Sequence, residues 1–400
     1  MDNTPHCLIG VDEFTVVLFP KGPIENLYEW SELVRDTIGE FAYRTSINAF
    51  FGSFEPMTMK KPAGCSDALT ITEVPWYFAI GWNDRSPNMG VVVRFSAYAW
   101  ACYQAAFSDR FGVTLNMADF MKLIQSDTYT ARISRIDIVA DYKNYDDDLS
   151  PDTIYRDLEN ERLYIVDHRG RKSRRKYGGV MTDWRIQTFY VGSKKENSAA
   201  KLRIYDKRAE QIANNGFRLQ EAQSCSSWTR FEVSYRNKYA HQISEDLLNL
   251  NTPVELAQYL ASKILDRYRF VDTYANDFTC YTKVLQGIAS SNDFAPLRSE
   301  RPENNSLQKS TTHLLKNSSL MQNLYKVEAI WGADGIHQYL QGVLKYYDEV
   351  YRYKGSAIFR LQKWLKLNKT SMQKQSVWDC FNEAMLEKDL RHTRKSTNTH

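Results

Sequence analysis

The sequence contains no CxxC pair, and its six cysteines (Cys7, Cys65, Cys102, Cys225, Cys280 and Cys380) lie far apart in a chain of 400 residues. That spacing gives neither a zinc-ligand set nor a disulfide framework, so the thiols read as reduced and mostly buried. No stretch approaches the ~18 uninterrupted apolar residues that a membrane helix needs. The opening MDNTPHCLIG lacks the basic start and apolar run of a signal peptide, and the expected compartment is the cytoplasm. No GxxxxGK[ST] phosphate loop is present, so no nucleotide hydrolysis is expected. Charge of neither sign dominates: the net charge of +4 is too small to imply a nucleic-acid partner by itself, and its distribution matters more. Internal repeats are absent.

What is present is ordinary globular material, 43% hydrophobic and 25% charged, with aromatics high at 13%. Tyrosine at such density suits stacking on bases as well as core filling. The length suggests two domains, or one large domain with an appendage. LIGVDEFTVVLF (8–19) reads as a strand and NLYEWSELVRDTIGEF (26–41) as an amphipathic helix. WYFAIGW and GVVVRFS read as a hairpin joined by NDRSPN. RISRIDIVADY (132–142) and WTRFEVSYR (228–236) alternate as strands, and KLRIYDKRAEQ (201–211) begins as a strand and turns helical. Ser150 with Pro151 and the Thr252–Glu255 capping box mark two helix starts. Residues 289–321 are rich in Ser, Asn, Pro and charge and read as a linker. Beyond them Ile336, Leu340, Val343, Leu344, Tyr347 and Val350 mark an amphipathic helix, and AIFRLQKWLKL and SVWDCFNEAML mark two more. Residues 351–400 hold eleven Lys/Arg against four Asp/Glu, with Trp364 and Trp378 nearby.

Three strands place charge on one face. Arg135, Asp137, Val139 and Asp141 alternate with Ile136, Ile138 and Ala140, because side chains of a strand alternate with period 2. Arg230 and Glu232 flank Phe231 in the same way, and Arg203, Tyr205 and Lys207 share a face opposite Leu202 and Ile204. If the three are neighbours in one sheet, carboxylates, a tyrosine and several cations converge on one surface. Hard oxygen ligands of this kind suit Mg²⁺ or Mn²⁺, ions that pair with phosphate chemistry. A tyrosine hydroxyl there could attack phosphorus and form a covalent phosphotyrosine. The spacing fits equally three amphipathic strands whose charges pair on a solvated face.

The order RIDIVAD, then TFYVGSKKENSAAKLRIYDK, then RFEVSYR resembles the Rep_trans family, the replication initiation factors of rolling-circle plasmids, with similar proteins in filamentous phages and among relaxases of integrative conjugative elements. The middle motif is present as Tyr190, Gly192, Ser193, Ser198, Arg203, Tyr205 and Lys207. The resemblance covers residues 1–250, most clearly toward the end of that stretch. Helices mixed with short strands give an α+β class and the C-terminal periodicities a small helical region, and to these the resemblance adds an antiparallel-sheet catalytic domain with flanking helices. It also implies that Tyr205 is the nucleophile that nicks one DNA strand, with Tyr190 as the competing choice, and that Asp137 and Glu232 hold the metal. Asp141 matches an acidic motif position, although a straight strand sets it roughly 13 Å from Asp137. Arg203 and Lys207, with Arg135 and Arg230, are the cations placed to stabilise charge on phosphate or to pair with the carboxylates. No histidine lies in an HxH pair, which excludes the His-based metal site of other rolling-circle initiators.

Two segments are candidates for DNA backbone contact. One is the loop with Ser193, Lys194 and Lys195; the other is HRGRKSRRKYGG, with Arg169, Arg171, Lys172, Arg174, Arg175 and Lys176. Either would also serve as a plain solvated loop. Composition, helical periodicity and the resemblance together divide the chain into a catalytic origin-nicking domain (1–288), a polar linker (289–321) and a C-terminal helical region (322–400) for DNA binding or dimerisation, the last read from its periodicity and positive charge. The implied partners are duplex and single-stranded origin DNA, a host UvrD-like helicase and a second copy of the chain, with no membrane. A relaxase acting at a transfer origin, or an origin-binding protein without catalysis, would share the same face.

Overall fold

The computed structural model describes residues 4–351 apart from 23–26, 59, 72–76, 146–148, 174–176, 183, 193–197, 291–293, 295–296 and 298–306, and isolated residues between 362 and 381. Strands run over His6–Pro20 (β1), Glu55–Pro56 (β2), Asp67–Thr70 (β3), Phe78–Trp82 (β4), Val91–Phe95 (β5), Tyr129–Lys143 (β6), Leu163–Val166 (β7), Tyr177–Thr182 (β8), Arg185–Val191 (β9), Ala200–Asp206 (β10), Trp228–Arg236 (β11), Arg269–Asp272 (β12) and Asp277–Phe278 (β13). Helices run over Leu27–Thr45 (α1), Ile47–Phe51 (α2), Ala97–Phe111 (α3), Met117–Leu123 (α4), Pro151–Glu159 (α5), Lys207–Ala213 (α6), Leu219–Ser224 (α7), Lys238–Leu247 (α8), Pro253–Leu265 (α9), Cys280–Ala289 (α10), Leu307–Asn317 (α11) and Leu320–Glu349 (α12).

Ten strands form one antiparallel sheet in the order β2-β3-β4-β5-β1-β6-β11-β10-β9-β8, and β13-β12-β7 form a small second one. This is the expected α+β class with an antiparallel sheet and flanking helices. Alternation decides which side of the large sheet is core. Ile136, Ile138 and Ala140 of β6, Phe231, Val233 and Tyr235 of β11, and Leu202 and Ile204 of β10 are buried together with Ile243 and Leu247 of α8 and Leu260 and Ile264 of α9. At the other end Phe14, Phe95, Trp100 and Phe120 form an aromatic cluster. The opposite face of β6, β11 and β10 is the charged one.

The long central strands are not regular. Pairing of β1 with β6 shifts between Val11 and Phe14 and again between Thr15 and Val16. The second shift leaves Ser134 as an extra residue on β6, which lets Ile133 and Ile136 both reach the core. The first shift leaves Asp12 and Glu13 of β1 outside the regular register beside Asp137. Bulges of this kind re-aim side chains and recur beside active sites.

The chain divides into two units, Met1–Ser299 and Glu300–His400. The stretch read as a linker carries a helix, α11, and the amphipathic helix expected around Ile336–Val350 lies in α12, which bends at Gly332 (φ 71°). Most of AIFRLQKWLKL, including Trp364, lies outside the described residues; Trp378 is exposed in a short 3-10 turn, Val377–Cys380. No helix among the described residues is long and apolar enough to cross a membrane.

Candidate active site

Register lays out the charged face in rows. Asp141 of β6 stands opposite Arg230 of β11, which stands opposite Tyr205 of β10. The next row is Val139, Glu232, Arg203 and Tyr190; the next is Asp137, Ser234 and Lys201; the last is Arg135 and Arg236. The three strands singled out by their charge pattern are therefore adjacent, and Tyr205, Arg203, Glu232 and Asp137 share one surface.

Tyr205 sits at the end of β10, one residue before Asp206 caps α6 by accepting from the Ala209 amide. Its hydroxyl donates to Glu232 Oε2 at 3.2 Å. The Arg203 guanidinium lies over its ring, 3.8 Å from the centroid, and Lys207 Nζ lies 5.6 Å from it. These groups leave the residue only 2% exposed. Burial and the Glu232 charge push the phenol well above its ordinary range. Lys207 also pairs with Glu210 at 2.8 Å, and Arg203 approaches Glu232 Oε1 at 3.7 Å.

Asp137 is buried with both oxygens on Arg135, at 3.1 Å from Nε and 2.5 Å from Nη2. Burial pushes its carboxyl above the usual range despite that arginine. Burial, then the charge of Asp137, push Glu232 up to about 7. A carboxyl raised in this way favours its neutral form in the folded protein. The resulting stability is complete below the ordinary value of 4.5 and disappears as pH rises through about 7. A shift of that size corresponds to on the order of 3 kcal/mol. Glu232→Gln, which cannot ionise, should therefore be more stable than the wild type at pH 8 in chelator, with the gap closing toward pH 4. Chemical denaturation at the two pH values checks this; equal stabilities at pH 8 would mean that Glu232 is not strained.

Asp141 is differently engaged. Arg230, 0% exposed, donates to both of its oxygens at 2.6 and 2.8 Å and to Asp12 at 2.8 Å, and Arg218 reaches Asp141 at 3.4 Å. Burial works against the charged form of Asp141, but Arg230 outweighs it and holds the carboxyl below the usual range. Asp141 and Arg230 thus form an ion pair in the row of Tyr205, at one end of the site, where Arg218 in turn holds Glu221. Sequence reasoning missed Asp12 and Glu13. Glu13 bridges Arg135 at 2.6 Å and Arg94 at 2.7 Å. The signal was two consecutive acids inside an otherwise apolar strand, GVDEFTVV, which breaks alternation as a bulge does.

The family model for replication initiation factors matches residues 131–344, more than half of the chain. The chain belongs to that family. The match contains Asp137, Tyr205 and Glu232, and it starts and ends later than the 1–250 stretch over which the motifs resemble the family. Among solved structures, the rolling circle replication initiator protein from Geobacillus stearothermophilus is similar at 15% identity over 71% of this chain and 97% of that one, with a TM-score of 0.46. No curated protein sequence matches.

In the sequence of this replication initiation factor the basic segments precede and follow β8–β9, the strands that end the large sheet on one side. Arg169, Arg171 and Lys172 are exposed beside β7; Arg171 pairs with Asp167 at 2.8 Å and Lys172 Nζ lies 3.9 Å from the Tyr164 ring centroid. Arg174, Arg175, Lys176, Ser193, Lys194 and Lys195 lie outside the described residues. Gly192, at φ 127°, is in a backbone conformation that other residues rarely adopt, and space is not the constraint there: an added Cβ would meet only ordinary contacts with Ala200 and Lys201.

Proposed function

We propose that this chain initiates rolling-circle replication by nicking one strand of origin DNA through a covalent bond between Tyr205 and the 5′ phosphate. The observation that carries the reading is the Tyr205 hydroxyl donating to Glu232, one register step from Asp137, on a face lined by Arg203 and Lys207. In the step, Tyr205 Oη forms a bond to phosphorus and the bond to the 3′ oxygen breaks, leaving a free 3′-hydroxyl. Glu232 Oε2 is placed to receive the phenol proton. Arg203 over the ring favours the phenolate, as does Lys207 more distantly. Tyr190, across from Arg203 on β9, shares the row of Arg203 and Glu232 but stands one row from Tyr205, and is read as a wall of the site.

The acids suit a divalent cation by donor chemistry. Burial raises the proton affinity of both carboxyls, the Asp137 charge raises that of Glu232 further, and positive charge would relieve them. Among the described residues no cluster of three or more His, Cys, Asp or Glu is placed to hold a metal. Mg²⁺ needs no such cage, since it is commonly held by one or two carboxylates with substrate phosphate and water supplying the rest. Asp137 and Glu232 would hold it, Asp137 by turning an oxygen away from the partly exposed Arg135, with Asp141 outside because the fully buried Arg230 and also Arg218 engage it. When bound, Mg²⁺ or Mn²⁺ would polarise the scissile phosphate as a Lewis acid.

Nicking of supercoiled origin DNA should require Mg²⁺ or Mn²⁺ and stop in EDTA. Asp137→Asn should raise the metal concentration for half-maximal nicking by on the order of 10-fold or more, because a neutral amide is a weaker ligand for a hard cation. Undiminished nicking in EDTA would remove the cation from the scheme. Binding without any protein–DNA adduct, with metal present, would leave an origin-binding protein.

A further inference from the structure

Beside Tyr205, a hollow of about 220 Å³ opens along the charged face, away from the end of β10 that carries the tyrosine. Arg135, Lys201, Arg203 and Arg236 line it together with Glu232, Ser234, Ser198 and Tyr190. Four cations thus stand against one carboxylate. Arg135 is occupied by Asp137 and Glu13, but β11 places Arg236 directly across from it, and like charges facing each other across two strands repel. Lys201 stands across from neutral Ser234, and its ammonium lies 4.3 Å from the Tyr190 ring centroid, which fixes it toward the hollow. Arg203 Nε is buried and makes no hydrogen bond among the described residues. An anion with several oxygens in the hollow would relieve both the repulsion and the missing bond.

The size narrows the choice. The hollow is smaller than the ~300–1,000 Å³ pockets that enclose whole small molecules. It suits a phosphodiester with part of its sugar. Lys201 lies four residues from Tyr205 along β10, roughly 13 Å away, so the group held there is not the one attacked. We propose that the hollow seats one non-scissile phosphate of the strand that Tyr205 attacks, anchored jointly by Lys201 and Arg236. This rests on the DNA-nicking reading above and adds to it a fixed grip on the flanking backbone, so that the scissile bond is presented by the strand's own geometry.

The test measures binding of a short mixed-sequence single-stranded oligonucleotide on the Tyr205→Phe background, which cannot form the adduct. Lys201→Gln and Arg236→Gln should each flatten the slope of log K against log salt by ~0.7, the value for one phosphate contact on single-stranded DNA. The double variant should flatten it by the same ~0.7, because one phosphate is shared, and Lys201→Arg should keep the wild-type slope. If Arg236→Gln fails to fold, Lys201→Glu replaces it and should weaken binding more than Lys201→Gln does. An unchanged slope in Lys201→Gln, losses that add in the double variant, or Lys201→Glu no weaker than Lys201→Gln would each overturn the seat. Adduct formation by the protein with Tyr205 intact is scored separately. Flattened slopes without adduct would sink the nicking chemistry alone, and adduct with unchanged slopes would sink the seat alone.

Discussion

Tyr205→Phe is expected to reduce adduct formation on origin DNA to background, a loss on the order of 10⁶-fold if it matches the removal of other enzymatic nucleophiles. Binding should change by no more than about two- to threefold. The ring of Tyr205 is buried and Arg203 stacks on it, and phenylalanine keeps both the volume and the cation–π contact. Only the hydroxyl and its bond to Glu232 disappear, so the fold and the cations of the charged face stay in place. Tyr190→Phe should leave the adduct, since Tyr190 stands a row away with Lys201 on its ring. Gel detection of a protein–oligonucleotide species after denaturation reads both variants. A Tyr205→Phe protein that still attaches covalently, with loss of attachment in Tyr190→Phe, would exchange the roles of the two tyrosines.

Arg230→Met should cost the fold about 3–5 kcal/mol, the range for breaking a buried ion pair by removing one partner. It would leave Asp141 and Asp12 facing each other with only Arg218 nearby, in a place where carboxylates have little water. Adding Asp141→Leu should recover part of the loss, because one of the two stranded charges goes with it. Denaturant unfolding of the three proteins measures this. A cost below about 1 kcal/mol for Arg230→Met would mean that solvent reaches the pair freely. Then Arg230 would become available as a cation for phosphate and Asp141 as a metal ligand.

The distinction between these roles was beyond the sequence. In RIDIVAD and RFEVSYR the arginine stands two residues before an acid in both strands, and alternation says only that each pair shares a face. Within β6 the pair is real, Arg135 with Asp137. In β11 it is not: Arg230 turns across the sheet to Asp141 and leaves Glu232 to Tyr205 and Arg203. What separates the two cases is register, which alternation does not encode and which a bulge changes by a residue. The strand-to-helix change after Tyr205, the 78–95 hairpin and the caps at Ser150 and Thr252 were legible because each depends on residues a few positions apart. Lys201 was passed over because it lies outside the family's motif positions. Its place in the hollow depends on β9 and β11 flanking β10.

The bulge at Asp12 and Glu13 also bears on how the charged face comes into being. Glu13 meets Arg135 across 122 positions of sequence, and Asp12 meets Arg230 across 218. β6, which must lie between β1 and β11, would bury Asp137 and Asp141 without their full set of partners if it docked early. Partly assembled sheets therefore carry an electrostatic penalty that only the last central strand removes, and pairings so distant in sequence close slowly. A chain that ends before residue 232 holds Asp137 but lacks Glu232, the group that accepts from the Tyr205 hydroxyl, so its charged face stays incomplete.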